Sequence, residues 1–115
     1  MPEPLAFSAR AERRDGAAVV VVGGELDLAA VDTLRTVLAR PEAQADTLVF
    51  DLRDVTFIDS SGLSVIVASH QRLRASQGRF AVVVSRPSAV QRLFELCGLT
   101  ETLTITDDLN AALVG

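Results

Sequence analysis

The stretch that decides the fold is Phe57-Ile58-Asp59-Ser60-Ser61-Gly62-Leu63, where an apolar strand pattern changes into a helical one. Residues 47–52, just upstream, are β-branched and apolar, as in a short buried strand. Downstream, Leu63 and Ile66 recur at helical spacing. The first amides of a helix have no partner inside it and, with the helix dipole, make that end electropositive. A phosphate on Ser60, which we place just ahead of the helix, could therefore be held at this junction.

The same residues also have a purely structural interpretation. Asp and Ser immediately before a helix commonly accept a hydrogen bond from a free amide, and such an N-cap contributes about 1 kcal/mol. For Asp59-Ser60-Ser61 in isolation, capping is the more frequent role. What favours a functional role is the set of other segments that accompany it along the chain.

The rest of the chain alternates between strand and helix patterns. Apolar, β-branched runs predict up to five strands, at residues 5–9, 17–22, 48–52, 80–84 and 103–105. Helical spacing predicts four helices, at residues 28–40, from the junction to about 76, at 88–96, and after a cap at Asp107. This alternation predicts an α/β fold with a mixed β-sheet of four to five strands and about four α-helices.

Turn signals separate these elements. Residues 13–16 predict a hairpin turn between the first two strands, and Pro41 stops the first helix. Gly78 is predicted to be the left-handed cap of the second helix. Pro87 suits the first turn of the third helix, and Gly98 its end.

Length and composition place the chain among compact globular proteins. Its 115 residues suit one domain over 1–115 with a core at 5–114, and 49% of them are apolar while 23% are charged. Its apolar runs are too short to cross a bilayer, and the start of the sequence lacks the pattern of a secretory signal. We therefore expect a free-standing cytoplasmic protein without a membrane partner.

Residue types that the sequence lacks exclude several kinds of chemistry. All 11 basic residues are Arg, so a P-loop, which needs a lysine, is impossible. A net charge of −4 and the absence of Tyr and Trp argue against binding nucleic acid directly. Cys97 is the only cysteine, which excludes an intrachain disulfide and a metal site of paired thiolates. We expect Cys97 to serve in packing.

Serine hydrolysis and metal binding are both disfavoured. The only histidine, His70, lies ten residues after Ser60 in the same predicted helix, about 15 Å away, and cannot act as its base. We interpret His70 as structural. Five acidic residues near strand ends could offer oxygen ligands to Mg²⁺, but their spacing matches no metal loop: Glu25, Asp27, Asp51, Asp54 and Asp59. We expect some of them to cap helices or line a partner surface, and we predict no catalytic residue, metal or cofactor.

Five segments occur in a fixed order along the chain: Gly24-Glu25-Leu26-Asp27, Asp51-Leu52, residues 57–63, residues 87–94 and Gly98-Leu99. In this arrangement the chain resembles a STAS domain, specifically the stand-alone bacterial anti-sigma factor antagonists. The phosphorylatable serine of that family follows the aspartate in an Asp-Ser-Ser-Gly-Leu stretch, which makes it Ser60 here. Ser64 is a departure, since close relatives often carry glycine there, and it adds a second hydroxyl near the site.

The resemblance implies a function in partner switching. The unphosphorylated chain would bind an anti-sigma factor that is also an ATP-dependent serine kinase, and would thereby free a sigma factor. Phosphorylation of Ser60 would end binding, and a phosphatase would restore it, so the chain is expected to be a kinase substrate and not an enzyme. The expected partner-binding residues are Asp27, Asp59, Ser61, Gly62 and Leu63. The alternative is a constitutive STAS scaffold, in a stress-sensing complex or as an accessory subunit of a membrane transporter.

Overall fold

The computed structural model describes residues 6–114, which form one β-sheet with helices on both faces. Its strands are β1 (Ser8–Arg14), β2 (Ala17–Leu26), β3 (Thr47–Ile58), β4 (Arg79–Val83) and β5 (Ile105–Thr106), in sequence order across the sheet. β1 is antiparallel to β2, and the other neighbours are parallel. The helices are α1 (Leu28–Leu38), α2 (Ser60–Ala75), α3 (Ala89–Leu96) and α4 (Leu109–Val114), with a 3-10 helix at Pro41–Ala43. The predicted mixed sheet with four helices is confirmed.

The two faces of the sheet are covered by different helices. α1, α2 and α3 pack on one face, and the larger core between them and the sheet includes Phe50, Leu34, Ile66 and Phe94, all fully buried. α4 covers part of the other face, where a smaller cluster gathers around Leu109. Parallel strands that are covered on both faces need apolar residues at successive positions, which explains the unbroken apolar runs in β2 and β4. None of the helices within residues 6–114 is long and apolar enough to span a membrane.

The first hairpin differs from the predictions at 5–9 and 13–16. β1 begins at Ser8, and residue 5 lies outside the described residues. The turn consists only of Asp15 and Gly16, with φ of 52° and 83°, so pairing continues to Arg14 opposite Ala17. Two residues with positive φ match the twist of a two-residue hairpin, which leaves the arginines before them in the strand.

β2 and β3 are both longer than predicted. β2 continues through Gly23 and Gly24 to Leu26, and β3 runs to Ile58 where the prediction ended at residue 52. The register shifts at each of the two glycines, and each time β3 gains one residue relative to β2. Glycines accommodate such bulges, and Gly24 has a φ of 82°. As a result, Ile58 at the end of β3 lies opposite Leu26.

Several predicted element ends are off by one or two residues. α1 ends at Leu38 rather than residue 40, because the chain turns into the 3-10 helix that Pro41 opens. Pro87 precedes Ser88, the cap of α3, and so lies outside the helix. β4 ends one residue early and β5 lies at Ile105–Thr106, whereas Gly98 does follow α3 with a φ of 71°.

The cap of α4 is Asp108, not Asp107. The Oδ1 atom of Asp108 accepts a hydrogen bond from the amide of Asn110 at 2.9 Å, and its carbonyl accepts one from the amide of Ala112 at 3.1 Å. Both acidic residues suit a cap by type, so only the start of the helix distinguishes them.

The end of α2 also differs from the prediction. The residue with positive φ is Gln77, at 61°, and not Gly78. Gly78 is required for a different reason, since a Cβ atom there would lie 2.6 Å from the Asp46 carbonyl oxygen and 2.6 Å from Leu73 Cδ1. Gly78 thus allows the chain to enter β4 close against α2.

Two packing predictions need correction, namely that Leu63 and Ile66 share the packed side of α2 and that Cys97 serves in packing. The buried face of α2 consists of Gly62, Val65, Ile66, Ser69 and Leu73, with Leu63 only half-buried. The close approach of Gly62 to β2 turns this side of the helix toward the sheet. Cys97 is exposed at the end of α3, so its predicted packing role is wrong.

One carboxylate is buried in the sheet. Asp51 on β3 is 6% exposed, and the guanidinium of Arg53 binds it through two hydrogen bonds, Nε to Oδ1 at 2.9 Å and Nη2 to Oδ2 at 2.8 Å. Burial by itself raises the pKa of Asp51. The hydrogen bonds and the positive charge of Arg53 outweigh burial, so the pKa lies below its ordinary value.

We expect Asp51→Asn to lower the free energy of unfolding at pH 7 by about 1 to 2 kcal/mol, a value moderated by the partial exposure of Arg53. A carboxylate whose pKa is lowered by folding stabilises the protein above its unfolded-state pKa, and this contribution is lost as the pH falls through the folded-state pKa. The difference between wild type and variant should therefore be full at neutral pH and shrink below about pH 4. Urea unfolding between pH 7 and pH 3 measures it, and a difference that stays constant over this range would contradict the assignment.

Candidate functional site

Residues 57–63 lie at the carboxyl edge of the sheet, where β2, β3 and β4 end and α1, α2 and α3 begin. Each of these helices has a side-chain cap that accepts a hydrogen bond from the amide three residues on. The pairs are Asp27 with Ala30 at 3.2 Å, Asp59 with Gly62 at 3.0 Å, and Ser88 with Gln91 at 3.0 Å. Three electropositive helix ends therefore point toward one edge, which is where sheets of this kind commonly bind ligands.

Asp59 connects two of these helix ends. Its Oδ1 atom caps α2, while its Oδ2 atom accepts a hydrogen bond from the amide of Leu28, the first residue of α1, at 3.3 Å. The amide of Asp59 itself donates to the Leu26 carbonyl at 3.2 Å. One residue thus links the end of β2, the start of α1 and the start of α2.

Gly62 allows α2 to begin this close to β2. A Cβ atom on Gly62 would lie 2.6 Å from the Leu26 carbonyl oxygen, 2.7 Å from Leu26 Cγ and 3.0 Å from Ile58 Cγ1. Two of these contacts are shorter than real Cβ contacts, and one of them is to backbone that cannot move aside. Gly62 is buried, so its contribution to this edge is to position its neighbours.

Ser60 is the first residue of α2, and its side chain is exposed. The prediction that it precedes the helix is wrong by one position, because Asp59 takes the capping role. The hydroxyl of Ser60 has no hydrogen-bond partner among residues 6–114, whereas the hydroxyl of Ser64 donates to the Ser60 carbonyl at 2.8 Å. The amides of Ser60 and Ser61 belong to the first turn and have no acceptor within the helix.

The other predicted partner-binding residues surround Ser60 at different depths. Asp27 and Ser61 are half-buried, and Leu63 is half-buried against the larger core. Asp27 precedes α1 and Ser61 follows Ser60, so capping and backbone geometry bring them to the same edge.

Two exposed apolar side chains flank this edge, and sequence reasoning assigned them no role. Leu28 is 72% exposed and Phe57 is 49% exposed. Phe57 borders a cavity of about 210 Å³ between the end of β3 and α3, which Val90 and Leu93 also line. The sequence did contain one signal for Leu28, since it is an apolar residue that directly follows the capping residue Asp27 in the first turn of a helix.

The geometry is unsuited to hydrolysis at Ser60. His70 lies about 15 Å along the helix from Ser60 and packs its ring edge-to-face on Phe80, with centroids 5.5 Å apart. Of the five acidic residues considered as metal ligands, Asp51 is bound to Arg53, and Asp27 and Asp59 cap helices. Within residues 6–114, no three His, Cys, Asp or Glu side chains group closely enough to hold a metal ion. The arrangement leaves Ser60 with an exposed hydroxyl group to which another enzyme could transfer a group.

Residues 8–112 match the family model of the STAS domain. The chain belongs to the STAS domain family. It is 33% identical over 116 aligned residues to the anti-sigma-F factor antagonist RsfB of Mycobacterium tuberculosis, an alignment that covers all of this chain and 93% of that protein. The predicted kinship with anti-sigma factor antagonists is therefore confirmed.

Solved structures of other proteins have the same fold. A crystal structure of an anti-sigma factor antagonist from Mycobacterium paratuberculosis is similar with a TM-score of 0.86 at 30% identity, covering 99% of this chain and 97% of that one. The Bacillus cell fate determinant SpoIIAA in its phosphorylated form has the same fold, with a TM-score of 0.65 at 24% identity, covering 94% of this chain and 96% of that one. The predicted fold class is confirmed.

We expect Gly62→Ala to destabilise this STAS domain by about 1 to 3 kcal/mol, because α2 must move away from Leu26 to accommodate the methyl group. Urea unfolding measures the change. Ser64→Ala is the matched control, since Ser64 is exposed on the same helix two residues on, and it should change stability by less than about 0.5 kcal/mol. Equal stability of Gly62→Ala and wild type would show that the close approach is not required.

Proposed function

We propose that this STAS domain is an anti-sigma factor antagonist that acts by partner switching. Its unphosphorylated form binds an anti-sigma factor that is also a serine kinase, which frees a sigma factor, and phosphorylation of Ser60 ends that binding. The observation that carries the proposal is the exposed, unengaged hydroxyl of Ser60 at the edge where three helices begin. Relatives named as anti-sigma factor antagonists, at 30% to 33% identity, support it.

The partner surface combines apolar anchors with polar groups around Ser60. Leu28 and Phe57 offer exposed apolar area at this edge, and removing apolar area from water is the dominant favourable contribution to most protein association. Asp27, Asp59 and Ser61 supply polar atoms between these anchors. Gly62 and Leu63 hold this part of α2 in position, Gly62 through its lack of a side chain and Leu63 through its contact with the core.

Phosphorylation would oppose binding through charge and fit. A phosphoserine carries a charge of about −1.5 to −2 at neutral pH. On Ser60 this charge would lie next to Asp59 and at the same edge of the sheet as Asp27. When such charge is desolvated in a tight interface without a matching cation, repulsion and lost fit cost several kcal/mol. The switch therefore needs no change in the fold.

The fold should tolerate the phosphate. Ser60 is exposed, so its phosphate stays in water, and the amides of Ser60 and Ser61 at the start of α2 are free to donate to it. The chain is in this view a cytoplasmic kinase substrate and not itself an enzyme, and a phosphatase resets it. No metal or cofactor takes part on the side of this chain.

We expect candidate anti-sigma factor kinases from the same genome, with ATP, to place one phosphate on Ser60, located by mass spectrometry. Calorimetry should then show strong binding by the unmodified protein and by Ser60→Ala, about tenfold weaker binding by Ser60→Asp, and about 100-fold weaker binding by the phosphorylated protein. The phosphorylated protein should melt within about 4 °C of the unmodified one, because its stability changes by less than about 1 kcal/mol.

Ser64→Ala is the matched control for this experiment, because it removes the neighbouring exposed hydroxyl and leaves Ser60 intact. It should be phosphorylated and should bind like wild type. Phosphate on a residue other than Ser60 would contradict the proposal. Equal binding in all phosphorylation states would instead identify a constitutive scaffold.

We expect Leu28→Ala and Phe57→Ala each to weaken binding of the anti-sigma factor by about tenfold or more, since both lose exposed apolar contact area at the proposed surface. Calorimetry with the unphosphorylated proteins measures the loss. Val114→Ala is the control, because Val114 is 81% exposed but lies on α4, on the opposite face of the sheet. A similar loss for Val114→Ala, or none for Leu28→Ala and Phe57→Ala, would place the interface elsewhere.

A further inference from the structure

A cavity of about 530 Å³ lies at the end of the sheet opposite to Ser60. It is bounded by the last turns of α2, by α4 and by the start of β4 at the outer edge of the sheet. Arg74, which lines it, follows Ser60 by fourteen residues in α2, or about 21 Å along the helix axis. The volume is within the range of about 300 to 1,000 Å³ that is typical of small-molecule sites.

The walls of this cavity are positively charged. Arg74 from α2 and Arg79 from β4 both line it, and none of the lining residues is Asp or Glu. Neither arginine forms an ion pair with another residue in the described range of 6–114. Both arginines are exposed, and two positive charges at one cavity without a lining carboxylate favour an anionic occupant.

The rest of the lining is apolar with a few hydroxyl groups. Phe80, Ala81 and Ala112 form the apolar wall, and Phe80 also holds the ring of His70 by an edge-to-face contact. Three threonines contribute hydroxyl groups that donate or accept hydrogen bonds: Thr47, Thr104 and Thr106. A site of this composition suits a molecule with both a charged and an apolar part.

The edge of β4 adds a backbone donor to the cavity. The amides of Val82 and Val84 point toward β5 and donate to the carbonyls of Thr104 and Thr106, both at 2.9 Å. The next residue upstream that points the same way is Phe80, and its position lies before β5 begins to pair with β4. The N–H of Phe80 therefore faces the cavity and has no partner on a neighbouring strand. Only this one position of β4 is unpaired on that side, which is too little for a peptide to add as a further strand.

We propose that this cavity binds a small organic anion, in which a carboxylate or phosphate group is joined to an apolar body. Arg74 and Arg79 bind the charged group, and the wall that includes Phe80 packs against the apolar part. The site is separate from Ser60, so the proposal does not depend on partner switching.

The test uses phenyl phosphate and benzoate as probes in NMR titrations of the ¹⁵N-labelled full chain, with inorganic phosphate and neutral benzyl alcohol for comparison. At least one of the two organic anions should cause saturable shifts at the amides of His70, Phe80 and Thr104. The stronger of the two identifies a phosphate or a carboxylate as the preferred group. Inorganic phosphate should bind more weakly because it leaves the apolar wall unfilled, and benzyl alcohol should bind more weakly because it has no charge.

Variants locate the anion. The double variant Arg74→Gln, Arg79→Gln should bind at least about tenfold more weakly, because charge-assisted hydrogen bonds are lost. Arg72→Gln is the matched control, since Arg72 is exposed on the last turn of the same helix but does not line the cavity, and it should stay within about twofold of wild type. Ser60→Asp should also bind like wild type. Circular dichroism melting checks that each variant is folded.

Three results would overturn the proposal. The first is that neither organic anion causes a saturable shift up to about 10 mM. The second is that benzyl alcohol binds as strongly as the organic anions. The third is that Arg72→Gln loses as much binding as the double variant.

Discussion

The carboxylate of Asp59 is the interaction on which the candidate site depends. It accepts hydrogen bonds from α2 and from α1 at once, at 3.0 and 3.3 Å, so the starts of the two helices are fixed relative to each other. The bulges in β3 make this possible, because they bring the end of β3 level with the end of β2. Gly62 completes the arrangement, since no larger residue would let α2 begin so close to the Leu26 carbonyl.

Capping and the proposed switching therefore belong to neighbouring residues and do not exclude each other. Asp59 has the structural role, and this leaves Ser60 as the first helical residue, with an exposed hydroxyl and free amides around it. A serine in the capping position would direct its hydroxyl toward the helix amides and be less accessible to a kinase. The adjacent aspartate thus makes Ser60 available for modification and also contributes a negative charge that a phosphate would reinforce.

The sequence predicted the type and order of the elements because buried parallel strands and amphipathic helices leave strong patterns, as at residues 17–22 and 80–84. It did not predict where β2 and β3 end, since Gly23 and Gly24 are equally compatible with a turn and with the bulges that the pairing of two distant strands produces. Gly78 was taken for a left-handed cap, whereas its role depends on Asp46 and Leu73, which only the fold brings near. Ser60 and its neighbours were proposed from the set of segments that accompany them along the chain, but Leu28 and Phe57 become candidates only once their exposure is known.

The two ends of α2 lie at opposite ends of the molecule, and the helix dipole gives them opposite partial charges. Its first turn presents free amides and the positive end of the dipole, so an anion attached to Ser60 would be stabilised there without any arginine. Its last turn has the negative end of the dipole, which arginines at this end offset and which by itself repels an anion. Arg72 can meet that need from outside the cavity, so dipole compensation alone does not explain why Arg74 lines the cavity opposite Arg79 from β4. The placement of Arg74 and Arg79 around an apolar wall and a free backbone amide is what favours the proposed anion site over ordinary charge balance at a helix end.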